Sequence, residues 1–159
     1  MAKSFTGGEI HMNWTGGCLC GDVRFEVGME PKWISNCHCS MCRKHTGAPI
    51  GTYVLFPAGS VRWLGREPTR YRSSKDVERS FCPVCGSTVG FHRVHETSLA
   101  IGGFDRPQDV VASHEKCVHV CYQERIAWFD TTDNWTRFDQ FGPGREDEVR
   151  SLSGQPIRG

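Results

Sequence analysis

The chain has 159 residues, with 19 basic against 18 acidic side chains and a formal net charge of +1. That length suits one domain with a genuine hydrophobic core, and the near-neutral balance argues against electrostatic capture of nucleic acid or an anionic membrane. The N-terminal stretch lacks the apolar segment of a signal peptide, and no apolar run approaches the ~20 residues of a membrane span. The sequence therefore predicts a soluble, cytoplasmic protein.

Short alternating or β-branched runs recur between Gly and Pro, and long amphipathic helices are missing, which predicts a mainly β domain. In chain order, Val23, Phe25 and Val27 alternate with Arg24 and Glu26. Residues 53–56 form an apolar run stopped by Pro57. Residues 61–64, 77–81, 99–101 and 118–122 continue the series of predicted strands. Two segments, 107–112 and 133–138, are expected to be single helical turns. The predicted organisation is an N-terminal extension over 1–13, a folded domain over 14–141 and a polar, loosely held tail over 142–159.

Nine cysteines stand out against this ordinary background. An odd count, tight pairs and no export signal point to metal binding or redox chemistry in a reducing compartment rather than to disulfides. Seven fall in three clusters: Cys18 and Cys20 in GGCLCGD, Cys37, Cys39 and Cys42 in CHCSMCRK, and Cys82 and Cys85 in FCPVCGS. Zinc binds thiolates in a tetrahedron, and such short spacings let one tight turn present two of them. Glycine after the last cysteine allows a turn with positive φ close to the metal, so CPVCG reads as half of a zinc-ribbon knuckle. Four thiolates close a site, whereas three leave a position for water or substrate. The simplest partition is a closed site from Cys18, Cys20, Cys82 and Cys85 and an open one from Cys37, Cys39 and Cys42. A fourth ligand such as His38 or His45 would instead make the triple cluster structural. Cys117, His119 and Cys121 occupy alternate positions, which a strand would turn to one face. They offer either a further metal site or small buried core residues.

The ordered clusters, with VERSFCPVCGSTVGF, IGGFD and HVCYQERIAWF further on, resemble the glutathione-dependent formaldehyde-activating enzyme family, which includes centromere-protein-V-like proteins. The resemblance runs over about residues 14–141. It implies a mainly β, Mss4-like zinc-bound sheet fold with only short helical turns. It implies two zinc ions: a structural one on Cys18, Cys20, Cys82 and Cys85, and a catalytic or labile one on Cys37, Cys39 and Cys42. The activity implied is that of a carbon–sulfur lyase, joining formaldehyde to glutathione as S-hydroxymethylglutathione or cleaving the adduct. Glutathione is then the cosubstrate, and the partners are a small thiol and an aldehyde.

A mechanism follows from an open zinc. A coordinated thiol is deprotonated, and the resulting thiolate attacks the aldehyde carbon while its oxygen is polarised. Arg43 and Lys44, directly after Cys42, would hold a carboxylate of the tripeptide or else form a solvated basic pair. His38 and His45 are candidate proton shuttles or outer partners of the metal ligands. A three-thiolate zinc carries net negative charge, which weakens it as a Lewis acid and eases its loss. The rival readings are a non-enzymatic zinc module for a small thiol or protein partner, and a redox or metal-buffering cluster.

Overall fold

The computed structural model describes residues 13–110, 112 and 114–141. The predicted extension and tail lie outside the described residues, apart from Asn13. Eleven strands and one α-helix are present among the described residues: β1 (Trp14–Gly17), β2 (Arg24–Val27), β3 (Trp33–Cys37), α1 (Ser40–Thr46), β4 (Gly51–Pro57), β5 (Val61–Trp63), β6 (Thr69–Ser74), β7 (Val77–Phe81), β8 (Thr88–His92), β9 (Glu96–Ala100), β10 (Cys117–Val120) and β11 (Thr136–Arg137). The mainly β architecture expected from the sequence is the one observed. No helix among the described residues is long and apolar enough to cross a membrane.

Strands β1, β2 and β5 form a small antiparallel sheet. The other eight lie in the order β11-β10-β3-β4-β9-β8-β7-β6. Pairing in this larger sheet is antiparallel except where β10 runs parallel to both β3 and β11. Strand β4 explains the arrangement of the interior. Its unbroken apolar run reflects burial on both faces, as a central strand requires. Val54 and Phe56 join Phe25, Val27, Ile34 and Leu99 in the main core, while Tyr53 and Leu55 face a second cluster. That second cluster holds Cys37, Cys39, Cys42 and Cys121.

Two expectations about helices need correction. Residues 107–109 do form a single 3-10 turn, but 133–138 do not form one. Strand β11 occupies that stretch, aligned with Val118 and His119 of β10. The Arg137 guanidinium donates to the carbonyls of Thr131, Asp133 and Trp135, so a side chain satisfies groups that a helix would have paired internally. The α-helix instead grows from the triple-cysteine segment. Cys39 is its N-cap, its Sγ accepting from the Cys42 N–H at 3.3 Å, and Gly47 ends it in the left-handed conformation.

Candidate metal centres

The first cluster is built from two hairpin turns. Cys18 and Cys20 lie in the β1–β2 turn of the small sheet; Cys82 and Cys85 lie in the β7–β8 turn of the large one. Glycine follows each pair in the left-handed region, with φ of 81° at Gly21 and 73° at Gly86. These two turns fold back alike: Gly21 N–H donates to Cys18 O and Gly86 N–H to Cys82 O. Backbone N–H groups also point at sulfur, Val23 to Cys18 Sγ at 3.2 Å and Val84 to Cys82 Sγ at 3.4 Å. Leu19 N–H donates to Ser87 Oγ across the two turns.

The four sulfurs lie within 4.8 Å of one another. Two ligands of tetrahedral zinc, each about 2.3 Å from the ion, stand about 3.8 Å apart. Cys18–Cys20 at 3.5 Å and Cys20–Cys82 at 3.8 Å match that spacing, so the residues fit the ion. The Ser87 hydroxyl, 3.2 Å from Cys85 Sγ, helps hold that thiol down at about 5. A readily ionised thiol is the form a metal takes. This is the set the sequence partition expected for the closed site, and it links the two sheets.

The second cluster sits in the interior. Cys37 ends β3, Cys39 caps α1 and Cys42 lies one turn along it. Cys37 and Cys39 Sγ are 3.5 Å apart. The third sulfur within 4.8 Å of both belongs to Cys121, a residue the sequence had grouped with Cys117 and His119. Cys42 is adjacent, interacting with Cys37 and Cys39, and its Sγ accepts from both terminal nitrogens of Arg79, at 3.8 and 3.7 Å. Hydrogen bonds from Cys121, Cys37 and Cys42 hold the Cys39 thiol well below the ordinary thiol range, while bonds to Cys121 and Cys39 push Cys37 up. A cluster of buried cysteine sulfurs is a donor set matched to a soft cation.

Cys117, His119 and Cys121 do not share a face. Cys117 belongs to the main core. His119 is fully buried, with Nδ1 2.8 Å from His38 Nε2 and Nε2 3.0 Å from Asp133 Oδ1. Strand β10 stops at Val120, and Cys121 takes φ 54° and ψ 39°, which redirects its side chain to the second cluster. His38 is committed to this same chain, linking the end of β3 to β10, and burial together with His119 holds its imidazole at about 4. His45 sits at the end of α1, where burial and then Arg79 hold it at about 4.

An apolar cavity opens on the second cluster. Its walls include Trp33, Leu55, Phe91, Val118, Val120 and Phe141, and Cys37, Cys39 and Cys42 line it beside Met41. Two cations line it, Arg79 and Arg93. Arg79 is only 7 % exposed and lies 5.8 Å from the Phe91 ring centre. Arg43 is used elsewhere: its guanidinium donates to the carbonyls of His38 and Glu124. Lys44 is exposed. Sequence reasoning missed Arg79: alternation in VERSF puts it on the face of Val77 and Phe81, but nothing local marks the charge as part of a site. Its partner sulfur is 37 residues away.

The sequence profile of the glutathione-dependent formaldehyde-activating enzyme family matches residues 13–120. The chain belongs to that family. It is 32 % identical over 78 residues to an uncharacterized lyase of Schizosaccharomyces pombe, covering 49 % of this chain and 56 % of that one. It is 37 % identical over 84 residues to a Halomonas elongata protein named "Putative glutathione-dependent formaldehyde-activating enzyme", covering 46 % of this chain and 52 % of that one. The aligned region thus spans about half the length of these curated relatives. A crystal structure of a Rhodobacter sphaeroides protein aligns with a TM-score of 0.47 and 24 % identity, covering 62 % of this chain and 95 % of that one.

Proposed function

We propose that the protein is a zinc-dependent carbon–sulfur lyase that forms or cleaves a thiol–aldehyde adduct of the S-hydroxymethylglutathione type at the second cysteine cluster. The observation that carries this reading is the cavity itself: an apolar chamber with three cysteine sulfurs and the buried Arg79 guanidinium at one end. Cys37, Cys39 and Cys42 would hold the catalytic zinc, and Cys18, Cys20, Cys82 and Cys85 the structural one. Bound zinc supplies acidity to an incoming thiol and polarisation to an aldehyde oxygen.

The chain's own residues do the rest. Aromatic walls at Trp33, Phe91 and Phe141 exclude water, which strengthens every charge interaction inside. Arg79 keeps its charge under all working conditions and offsets the negative charge that clustered thiolates accumulate, answering the difficulty a three-thiolate centre poses. Arg79 and Arg93 give the cavity the cations that a tripeptide thiol with carboxylates would need. In the forward direction the thiolate sulfur attacks the carbonyl carbon, a C–S bond forms, and the C=O π pair moves to oxygen, which takes up a proton. Cleavage is the reverse. Family membership and the names of the relatives support the same class of reaction.

The test is turnover by zinc-loaded protein across a panel of thiols and aldehydes, glutathione with formaldehyde first, followed by the NMR signal of the adduct methylene. Acceleration over the uncatalysed addition, lost in Cys39→Ala, is the expected result. No acceleration for any pair would leave a zinc module without lyase activity.

A further inference from the structure

Four buried sulfurs converge on the second cluster, one more than an open site requires. We infer that Cys121 is a resident metal ligand there, completing a four-cysteine set in which Cys42, on the cavity side, is the ligand that yields to an external thiol. The inference rests on the reading of this cluster as the lyase's metal centre. Cys121 itself lies one residue past the stretch that matches the family.

Backbone geometry supports this first. Alternation along β10 sends Val118 and Val120 to the cavity and Cys117 and His119 to the opposite face, so a continuing strand would carry Cys121 away from Cys37. Instead Cys121 is the one non-glycine residue with positive φ among the described residues. An L-residue with a Cβ rarely adopts this conformation, which persists where its surroundings over-determine it. Here they do. The Cys121 N–H donates to Gln140 O at 2.6 Å and the Tyr122 N–H to Phe138 O at 3.0 Å. One residue back, Val120 is aligned with Cys37 in the parallel β3–β10 pair, and the His38–His119 bond ties the same strands together. The outcome of this strained, well-braced turn is a sulfur within 4.8 Å of Cys37 and Cys39 and only 4 % exposed.

The second support is the division of labour among the sulfurs. Cys37, Cys39 and Cys121 lie within 4.8 Å of one another, while Cys42, which also interacts with Cys37 and Cys39, stands outside that group, as the most loosely held of four ligands would. Cys37, Cys39 and Cys42 line the cavity and Cys121 does not. Of those three, Cys42 stands outside the group of sulfurs within 4.8 Å of one another and touches Arg79, so it is the one an arriving thiol displaces. Exchange is balanced: the external sulfur takes the position of the Cys42 sulfur, its proton passes to Cys42, and no electron changes hands. Arg79, already touching Cys42 Sγ through two nitrogens, holds the released side chain beside the site.

Cobalt(II) loaded into the full chain reports sulfur ligation through its charge-transfer absorption, without turnover. Cys117→Ser should match wild type. Cys121→Ser should lose one of four sulfur contributions at the second site, or the second cobalt entirely, while the first site stays loaded. A Cys121→Ser protein with wild-type stoichiometry and spectrum would overturn the inference. Zinc K-edge absorption of two-zinc wild type gives the same answer without a variant: a sulfur-only shell is expected, and an oxygen or nitrogen neighbour at the second ion contradicts it. A changed cobalt spectrum in Cys121→Ser alongside no turnover of any thiol–aldehyde pair would end the lyase reading and keep this one. Turnover alongside an unchanged spectrum would end this one alone.

Discussion

The two cysteine clusters are made of the same atoms and differ in almost everything around them. The first is at the surface, with Cys20 exposed and Cys85 half-buried. Its polar neighbours are backbone N–H groups and a serine hydroxyl. The second is buried throughout, touches a guanidinium and opens on an apolar cavity. Exposure does not mark the reactive site. On the proposed reading, a surface site whose four positions would all be filled from two rigid turns has nothing to offer a ligand. A buried one with a spare sulfur, a fixed cation and a chamber beside it would exchange a ligand out of contact with water.

The largest effect should come from breaking the first cluster. Cys82→Ala or Cys18→Ala would remove one of the four proposed ligands that join the small sheet to the large one. Structural zinc contributes on the order of 10–16 kcal/mol in small peptides, comparable to a domain's whole stability. Loss of soluble expression, or a collapse of the thermal transition, is expected. Untreated and chelator-treated wild type melting at the same temperature would erase the distinction between the clusters.

Substitutions in the second cluster should be milder and unequal. Cys42→Ala takes away a sulfur on the cavity side and should keep the fold, as read by circular dichroism, while removing thiol binding. Cys39→Ala also removes the helix cap, so it should cost a further ~1 kcal/mol. Equal melting temperatures for these two variants would mean that the cap is not formed in solution.

Arg79→Gln addresses what distinguishes the clusters electrostatically. A hydrogen bond to a charged partner is worth about 1.5–3 kcal/mol, so glutathione affinity should fall roughly ten- to a hundredfold in calorimetric titration. S-methylglutathione, which lacks the free thiol, should bind weakly to both proteins. Unchanged glutathione affinity in Arg79→Gln would remove the guanidinium from the site's function.

Much of this was legible in the sequence, for reasons that differ by element. Strands β2, β4, β5 and β7 announce themselves because each combines alternating or β-branched residues with a Gly or Pro boundary. β1 and β3 were hidden because short strands leading into cysteine clusters carry Gly, Asn and Ser, which read as turns. Helix α1 was missed because its N-cap is a cysteine sulfur rather than an oxygen side chain, although Gly47 after a basic last turn was a stop signal in plain view. The closed cluster was readable in full, since both of its knuckles are local and only their meeting is long-range. The second cluster was readable only where it is local. Arg79 reaches it from β7, and Cys121 reaches it through a left-handed turn that no propensity assigns to cysteine.

The smallest effect tests the sheet independently of either cysteine cluster. His92 on β8 is 6 % exposed, with Nε2 2.9 Å from Ser80 Oγ and its ring 6.3 Å from that of Trp63 in the small sheet. Burial, aided by Arg70, holds it at about 4 against an ordinary 6.5. The sign follows from which state takes the proton. Between pH 6.5 and 4 the unfolded chain binds it and the folded chain does not, so stability present at neutral pH is lost as pH falls through that window. A shift of this size amounts to about 1 kcal/mol between pH 7 and 5.5. Acid also protonates the cysteines and releases metal, which would mask so small a term in wild type alone. His92→Gln, compared with wild type at saturating zinc, leaves the cysteines common to both, so the difference between the two stability curves isolates the histidine. That difference should narrow or reverse as pH falls, because glutamine has no proton to gain. Parallel curves from pH 7 to 5.5 would show that His92 titrates normally. The acid sensitivity of the fold would then have to be sought in the cysteine clusters.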